Sequence, residues 1–454
     1  MKSSRVKALF IVHKFEVKKL VDSAGYLEVI RPMVASGYLS DHRVLSFGRE
    51  LDYYQDIVEQ RLFQLRQELH DAPIVIYGAG AHTRQFLDEL TKLNVVAFAD
   101  RDEKLWGTQR FGYPVIAPSL APSVAGDVVI SSRAYEASIL SELQTIYPSS
   151  VGVHSLYGKS VDYDQSHMTN EISDAVSAFQ PDLIIYTPTH PSENIGSAFF
   201  LDLKARNPSL KIVNVWWDYD ECSENGSYLD YERDCLLYSD FVVENSNYSR
   251  LQKMLRQEAP YHNHKNVEKV HFHPTTFDPS LFYPSQEAKT VDIALWGSSV
   301  GERTRWIDVL AHTYGKRFKQ FGGVYHGDEP LPAEEYAAMY RQTKIAVNTQ
   351  TYPFRTQCKG KVREALCSGT FLLEEDNLET KAFVPEGCGV SYFNSEKELK
   401  SKIEYYLEHP KEREEIENRG RDWLMKNHSP QKWTYKILFE LGFVANTMEI
   451  KNEI

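Results

Sequence analysis

Short apolar runs alternate with amphipathic stretches along almost the whole chain, the pattern of parallel strands covered by helices. VKALFIV reads as an opening strand. Residues 51–70, LDYYQDIVEQRLFQLRQELH, place Ile57, Leu62, Leu65 and Leu69 at helical spacing. PIVIYGAGAHTRQFLDEL then reads as strand, glycine turn and helix, with VVAFADRD and DVVISS as later strands. From 171 the rhythm restarts with a helix through EISDAVSAF and strands in PDLIIYTPTH, KIVNVWWDYD and SDFVVENS. The proline-rich KVHFHPTTFDPSLFYPSQ reads as a strand leaving one domain and a linker entering another. Beyond it, VDIALWGSS, KQFGGVYHG, KIAVNTQ, GTFLLEED and GVSYFN are further strand candidates.

This rhythm predicts an α/β fold with three Rossmann-like units, near 71–155, 171–280 and 288–430. The strand at 6–12 has no sheet close to it in sequence. We therefore assign it to the 171–280 unit, with the intervening segment inserted; three domains in a row is the alternative. The predicted boundaries are 1–50 with 159–284, an inserted domain at 51–158, a C-terminal domain at 285–435 and a tail helix at 436–454.

Composition narrows the partners. The 454 residues are 42% apolar and 25% charged, which is ordinary for globular domains with large cores. A net charge of −12 argues against a general nucleic-acid or anionic-membrane binder, although a local basic patch is compatible with it. The cysteines, Cys222, Cys235, Cys358, Cys367 and Cys388, form no C-x-x-C pair and read as reduced thiols in a cytoplasmic protein. The first apolar run is too short for a signal peptide, and no stretch approaches the roughly 20 apolar residues of a membrane span.

The densest chemistry lies in KGKVREALCSGTFLLEED, residues 359–376. Val362, Ala365 and Leu366 form one face of a short helix, Lys361 and Glu364 the opposite face, and Gly369 its end. A helix start favours anions, a lysine there adds charge for a diphosphate, and a carboxylate one turn later can accept from a ribose diol. An exposed i, i+3 ion pair would show the same spacing.

VREALCSGTFLL, followed by FVPEGCGVSYFNSEKELKSKIEYYLEHPKEREEIENRGRDWL, resembles the C-terminal half of GT-B glycosyltransferases. The similarity covers roughly 288–430 and is closest to the group 1 type that includes the spore-coat protein CgeB. It implies two Rossmann-like domains facing a cleft, with Glu364 on the nucleotide ribose and Lys361 on the diphosphate. Many retaining relatives carry two glutamates eight residues apart. Here the position eight before Glu364 is Thr356, so neither the residue facing the donor sugar nor the stereochemical outcome is assigned. Upstream, WGSSVGERTRW supplies Gly297, which allows close backbone approach, and Arg303, which can stabilise a leaving diphosphate. TTFDPSLFYP resembles the interdomain linker, where Phe277, Asp278 and Phe282 would pack.

NVWWDYDE places Asp218 and Asp220 at a strand end, where D-x-D holds a metal in GT-A transferases. In a GT-B reading Asp218 is instead a candidate base or acceptor-orienting group. His190, after LIIY, is a candidate acceptor-side group. His271 and His273 share a strand face but lack a third metal ligand. Gly78, Gly80 and Asp100 approximate a dinucleotide fingerprint with Thr83 in place of the third glycine. That unit resembles the small Rossmann-like domains of sugar acetyltransferases and sugar methyltransferases, and is a possible second nucleotide site.

The expected activity is transfer of a sugar from a nucleotide-diphosphate-sugar to a hydroxyl of a carbohydrate, glycoconjugate or protein acceptor, with no cofactor or metal required. The alternatives are a nucleotide-dependent oxidoreductase or epimerase acting through the 71–155 unit, a metal-dependent GT-A-like transferase using Asp218 and Asp220, and a binding protein without catalysis.

Overall fold

The structure is a computed structural model that describes residues 6–14, 25–48, 50–133, 135–158, 165–188, 193–217, 227–321, 331–352 and 356–445. The chain forms two compact units: residues 48–164, and the two flanking segments together.

In the larger unit, the first sheet has the order Val270–Phe272, Phe241–Glu244, Lys211–Trp216, Leu183–Thr187, Val6–Lys14, Leu39–Gly48. The opening strand thus pairs in parallel with one 175 residues later, Ala8 opposite Leu183 and Val12 opposite Thr187. Leu39–Gly48, which the apolar pattern did not mark, lies on its other side. Its burial alternates weakly along an edge, which explains why it does not read as a core strand. The sheet's direction of growth reverses between Val6–Lys14 and Leu183–Thr187, a topological switch point where open α/β sheets collect ligands.

The second sheet runs Phe318–Phe321, Val291–Trp296, Thr343–Asn348, Phe371–Glu375, Val390–Phe393, all parallel. Its residues alternate between two cores. Ala294, Trp296, Ala346 and Leu372 enter one, while Ile293, Leu295, Ile345 and Leu373 enter the other. Both faces are covered, as a parallel sheet requires. Here the switch point falls between Val291–Trp296 and Thr343–Asn348.

Of the tail helix expected at 436–454, residues 446–454 lie outside the described residues; the last described helix begins earlier. It runs Pro430–Glu440, capped by Ser429, whose hydroxyl accepts from the Lys432 N–H. Its Trp433, Ile437 and Leu438 join Phe10, Val12, Ile185 and Phe241 in the core of the first sheet. The chain thus returns from the second half to the first. Phe277, Asp278 and Phe282 are buried in the connection between halves, and Arg31 pairs with Asp278 at 2.6 Å. Cys235, Cys358 and Cys367 are buried free thiols; Cys222 lies outside the described residues.

The smaller unit has its own sheet, ordered Gln109–Arg110, Tyr113–Ile116, Val95–Ala99, Ile74–Tyr77, Asp127–Ile130, Gly152–Ser155. Helix Glu50–Leu69 buries Val58, Leu62 and Leu65 against Ile74, Ile76 and Phe98. Val58, rather than the expected Ile57, is the fully buried position.

Among the described residues, the core clusters of the larger unit are built from that unit's own side chains. Phe47 and His167, either side of the junction, have ring centroids 6.2 Å apart, so a short linker can close the gap. Excising 48–164 should leave a soluble protein that melts cooperatively; an aggregated or molten product would refute the separation.

A second prediction concerns Gly420, inside helix Pro410–His428. A Cβ there would stand 2.3 Å from the Gly389 Cα and 2.6 Å from its nitrogen. Glycine to alanine inside a helix ordinarily stabilises by about 1 kcal/mol. Gly420→Ala should instead destabilise by about 1–3 kcal/mol through backbone overpacking. Urea denaturation reads the sign, and an unchanged or raised midpoint would contradict it.

Candidate functional site

The site lies at the carboxyl ends of the second sheet's switch-point strands. Val291–Trp296 ends at Gly297, whose φ of 131° is a conformation that side chains rarely adopt. A Cβ on Gly297 would meet the Arg303 Nη1 at 2.8 Å and the Lys361 Nζ at 3.0 Å. Three residues singled out from the sequence therefore converge on one point. Arg303 sits in the first turn of helix Glu302–Tyr314 and is folded back under it, nearly buried. Its Nη2 donates to the Thr351 hydroxyl at 2.7 Å. Burial lowers its pKa from the ordinary value, partly countered by Glu375.

Thr351 follows the second switch-point strand. Lys359 Nζ donates to the Thr349 carbonyl at 2.8 Å and to the Thr351 hydroxyl at 3.3 Å. Lys359 also caps helix Gly360–Cys367, so Arg303, Lys359 and Lys361 gather beside that helix start. Such a cluster beside free N–H groups favours an anion. Beneath it, Glu374 is fully buried and accepts from Asn348 at 2.8 Å, Asn377 at 3.0 Å and Thr380 at 3.1 Å. Burial raises its pKa to about 7, against those donors and the Lys359 charge.

Glu364 is held by two tyrosines. Its Oε2 accepts from the Tyr336 hydroxyl at 2.7 Å and the Tyr340 hydroxyl at 3.0 Å. Burial and then the Glu28 charge raise its pKa, while the two hydroxyls and Lys361 pull it down. Tyr336 and Tyr340 lie four apart on helix Ala333–Arg341, and Tyr340 stacks on Trp296 at 3.8 Å.

Arg363, on the same helix, is buried. Its Nη2 donates to the Glu28 Oε2 at 2.9 Å and to the Thr275 hydroxyl at 3.0 Å. Glu28 rides on Gly25–Ile30, a segment whose Gly25 packs on Thr187 and Val12 at the first sheet's switch point. Thr356, eight before Glu364, donates to Glu379 at 3.2 Å, and Glu379 also accepts from the Ser249 hydroxyl at 2.6 Å.

Glu28, Tyr336, Tyr340, Thr351, Lys359 and Arg363 were given no role from the sequence. A tyrosine pair at i, i+4 and the basic stretch at 359–363 were signals for four of them. Glu28 has none, being 335 positions from its partner.

His190, Asp218 and Asp220 lie outside the described residues. His271 stacks on Phe241 at 4.3 Å and His273 on Trp433 at 5.4 Å. Among the described residues no group of three potential metal ligands occurs.

In the smaller unit, Gly78 has φ 110° and a Cβ there would stand 2.8 Å from the Ser131 carbonyl oxygen. Asp100 accepts from the Ala79 N–H at 2.8 Å and the Asp102 N–H at 2.9 Å. Gly80 precedes a helix of only five residues. Thr83 takes the third-glycine position and is buried, its hydroxyl donating to the Gly78 carbonyl at 2.6 Å. In this structure the glycine turn closes on its own neighbours.

Residues 281–438 match the model of a family described as glycosyl transferase-like. That segment carries Gly297, Arg303, Lys359, Lys361 and Glu364. No curated protein matches the chain. Among solved structures, Alr3699/HepE from Anabaena, in complex with UDP, is 11% identical over 82% of this chain and 100% of its own, with a TM-score of 0.44. A glycosyltransferase from Rickettsia africae is 11% identical over 83% of this chain and 100% of its own, also at 0.44. A UDP-GlcNAc 2-epimerase from Methanocaldococcus jannaschii is 11% identical over 82% and 99%, at 0.35. Likenesses at this level assign no activity. No helix among the described residues is long and apolar enough to cross a membrane.

His428 borders the site, its Nε2 bonded to the Thr275 carbonyl at 3.2 Å and its ring beside His273. Burial, then the Arg363 charge, lowers its pKa to about 3. A depressed histidine contributes stability above its unfolded pKa of about 6.5 that is lost as pH falls toward 3. Between pH 8 and pH 5 the wild-type protein should therefore lose up to about 2 kcal/mol that His428→Gln does not lose. Urea midpoints at the two pH values test this; parallel losses in both proteins would refute it.

Proposed function

We propose that the protein transfers a sugar from a nucleoside-diphosphate-sugar to an acceptor hydroxyl, without a metal ion. The observation that carries this is the convergence of Arg303 and Lys361 on the side-chain-free backbone of Gly297, within a glycosyl transferase-like domain. In the reaction the bond from the sugar's anomeric carbon to the diphosphate breaks and one to the acceptor oxygen forms. The acceptor hydroxyl gives up its proton, and negative charge grows on the departing diphosphate. Arg303, Lys361 and the N–H groups that open helix Gly360–Cys367 meet that charge where it develops. Lys359 and Thr351 hold Arg303 and the loop in place. Glu364, oriented by Tyr336 and Tyr340, takes ribose hydroxyls. Asp218 and His190 follow two first-sheet strands in sequence and would serve the acceptor side.

Three outcomes test the reading. Of a panel of UDP, GDP, dTDP, CMP and NAD, a nucleoside diphosphate should bind, and its binding should persist in EDTA, as should transfer. Activity abolished by EDTA and restored by manganese would promote the Asp218–Asp220 alternative. Lys361→Ala should lower turnover more than donor affinity, because its charge matters most as the diphosphate leaves. Gly297→Ala should weaken diphosphate binding about tenfold or more, since its methyl would occupy the point the cations surround. Wild-type constants for both variants would remove the site.

A further inference from the structure

Glu28 and Glu364 come from opposite halves of the larger unit, yet their carboxylates meet. A Cβ on Gly360 would stand 3.2 Å from the Glu28 Oε1 and about as close, 3.6 Å, to the Glu364 Oε1. Each carboxylate is anchored through its other oxygen: Glu28 Oε2 by Arg363 and the Thr275 hydroxyl, Glu364 Oε2 by Tyr336 and Tyr340. The two Oε1 atoms accept no hydrogen bond from the described residues. The Arg363 Nη2 lies 3.5 Å from the same point, and this side chain, 1% exposed, leaves its Nη1 without a partner. Two fixed acceptors facing one spot, with a buried donor beside them, suit a ligand that presents two adjacent hydroxyls.

We propose that Glu28 and Glu364 together grip the vicinal diol of the donor's ribose, so that the nucleotide site is complete only when both halves contribute. This rests on the donor reading above. Glu28 is then a specificity residue: each carboxylate accepts from one hydroxyl, and nucleotides lacking either are rejected.

The test is calorimetric titration in EDTA with UDP and GDP and their 2′-deoxy and 3′-deoxy counterparts. For whichever diphosphate binds, the wild-type protein should lose about tenfold or more with removal of either hydroxyl. In Glu28→Gln one of those two penalties should shrink to under threefold, and in Glu364→Gln the other. The wild-type arm needs no variant, so it stands even if Glu28→Gln fails to fold. Tolerance of both deoxy nucleotides by the wild type, undiminished discrimination in a folded Glu28→Gln, or binding that requires magnesium would overturn the proposal. If transfer proceeds normally in those cases, only the role of Glu28 falls. If no nucleoside diphosphate binds, the donor reading falls with it.

Discussion

A buried guanidinium holds the two halves of the larger unit in register. Arg363 is 1% exposed and reaches Glu28 from the first half and Thr275 from the connection between halves. A charge this deep is tolerated only when paired, and removing its partner ordinarily costs about 3–5 kcal/mol. The same helix that carries Arg363 inward carries Lys361 and Glu364 toward the cleft. Its rotation is thus fixed by the buried pair, and with it the direction in which the lysine and the glutamate point. The helix Pro430–Glu440 ties the halves from the opposite end by burying Trp433 in the first sheet's core.

Much of this was legible in the sequence because it is written locally. The five strands of the second half, the short helix at Gly360–Cys367 and its Gly369 terminus follow from apolar period and turn chemistry. Gly297, Arg303 and Lys361 were legible as residue types suited to a diphosphate, although nothing in their spacing shows that three segments meet. What was not legible is whatever depends on distance along the chain. Arg363 sits between Val362 and Glu364 and reads as solvated charge, since its partner lies 335 positions away. The edge strand Leu39–Gly48 carries too little buried apolar surface to announce itself, and the last helix keeps its apolar face for a sheet built mostly from much earlier residues.

The proposed anion site is compatible with an acidic chain because charge is distributed locally. The net charge of −12 is a property of the surface at large, whereas Arg303, Lys359 and Lys361 are concentrated at one strand-end crevice. Glu374 and Glu375 lie just below them. Burial pushes Glu374 up to about 7, so near neutral pH this carboxylate does not fully cancel the lysines above it. Arg303, Lys359 and Lys361 thus stand together within a chain that is acidic as a whole.

The two units of the chain make one further point about where function resides. Each has a parallel strand that ends in a glycine with positive φ, 110° at Gly78 and 131° at Gly297. In both, the absent side chain lets something approach the backbone closely. At Gly78 that is the Ser131 carbonyl, and the nearby Asp100 caps its own turn, so the freedom of glycine is used for packing. At Gly297 it is a guanidinium and an ammonium, two groups that repel each other and gain by sharing an anion. Both glycines have positive φ, and the chemistry differs because of what surrounds them. A glycine turn after a strand is therefore a structural requirement first, and becomes a binding site only where cations are brought to it.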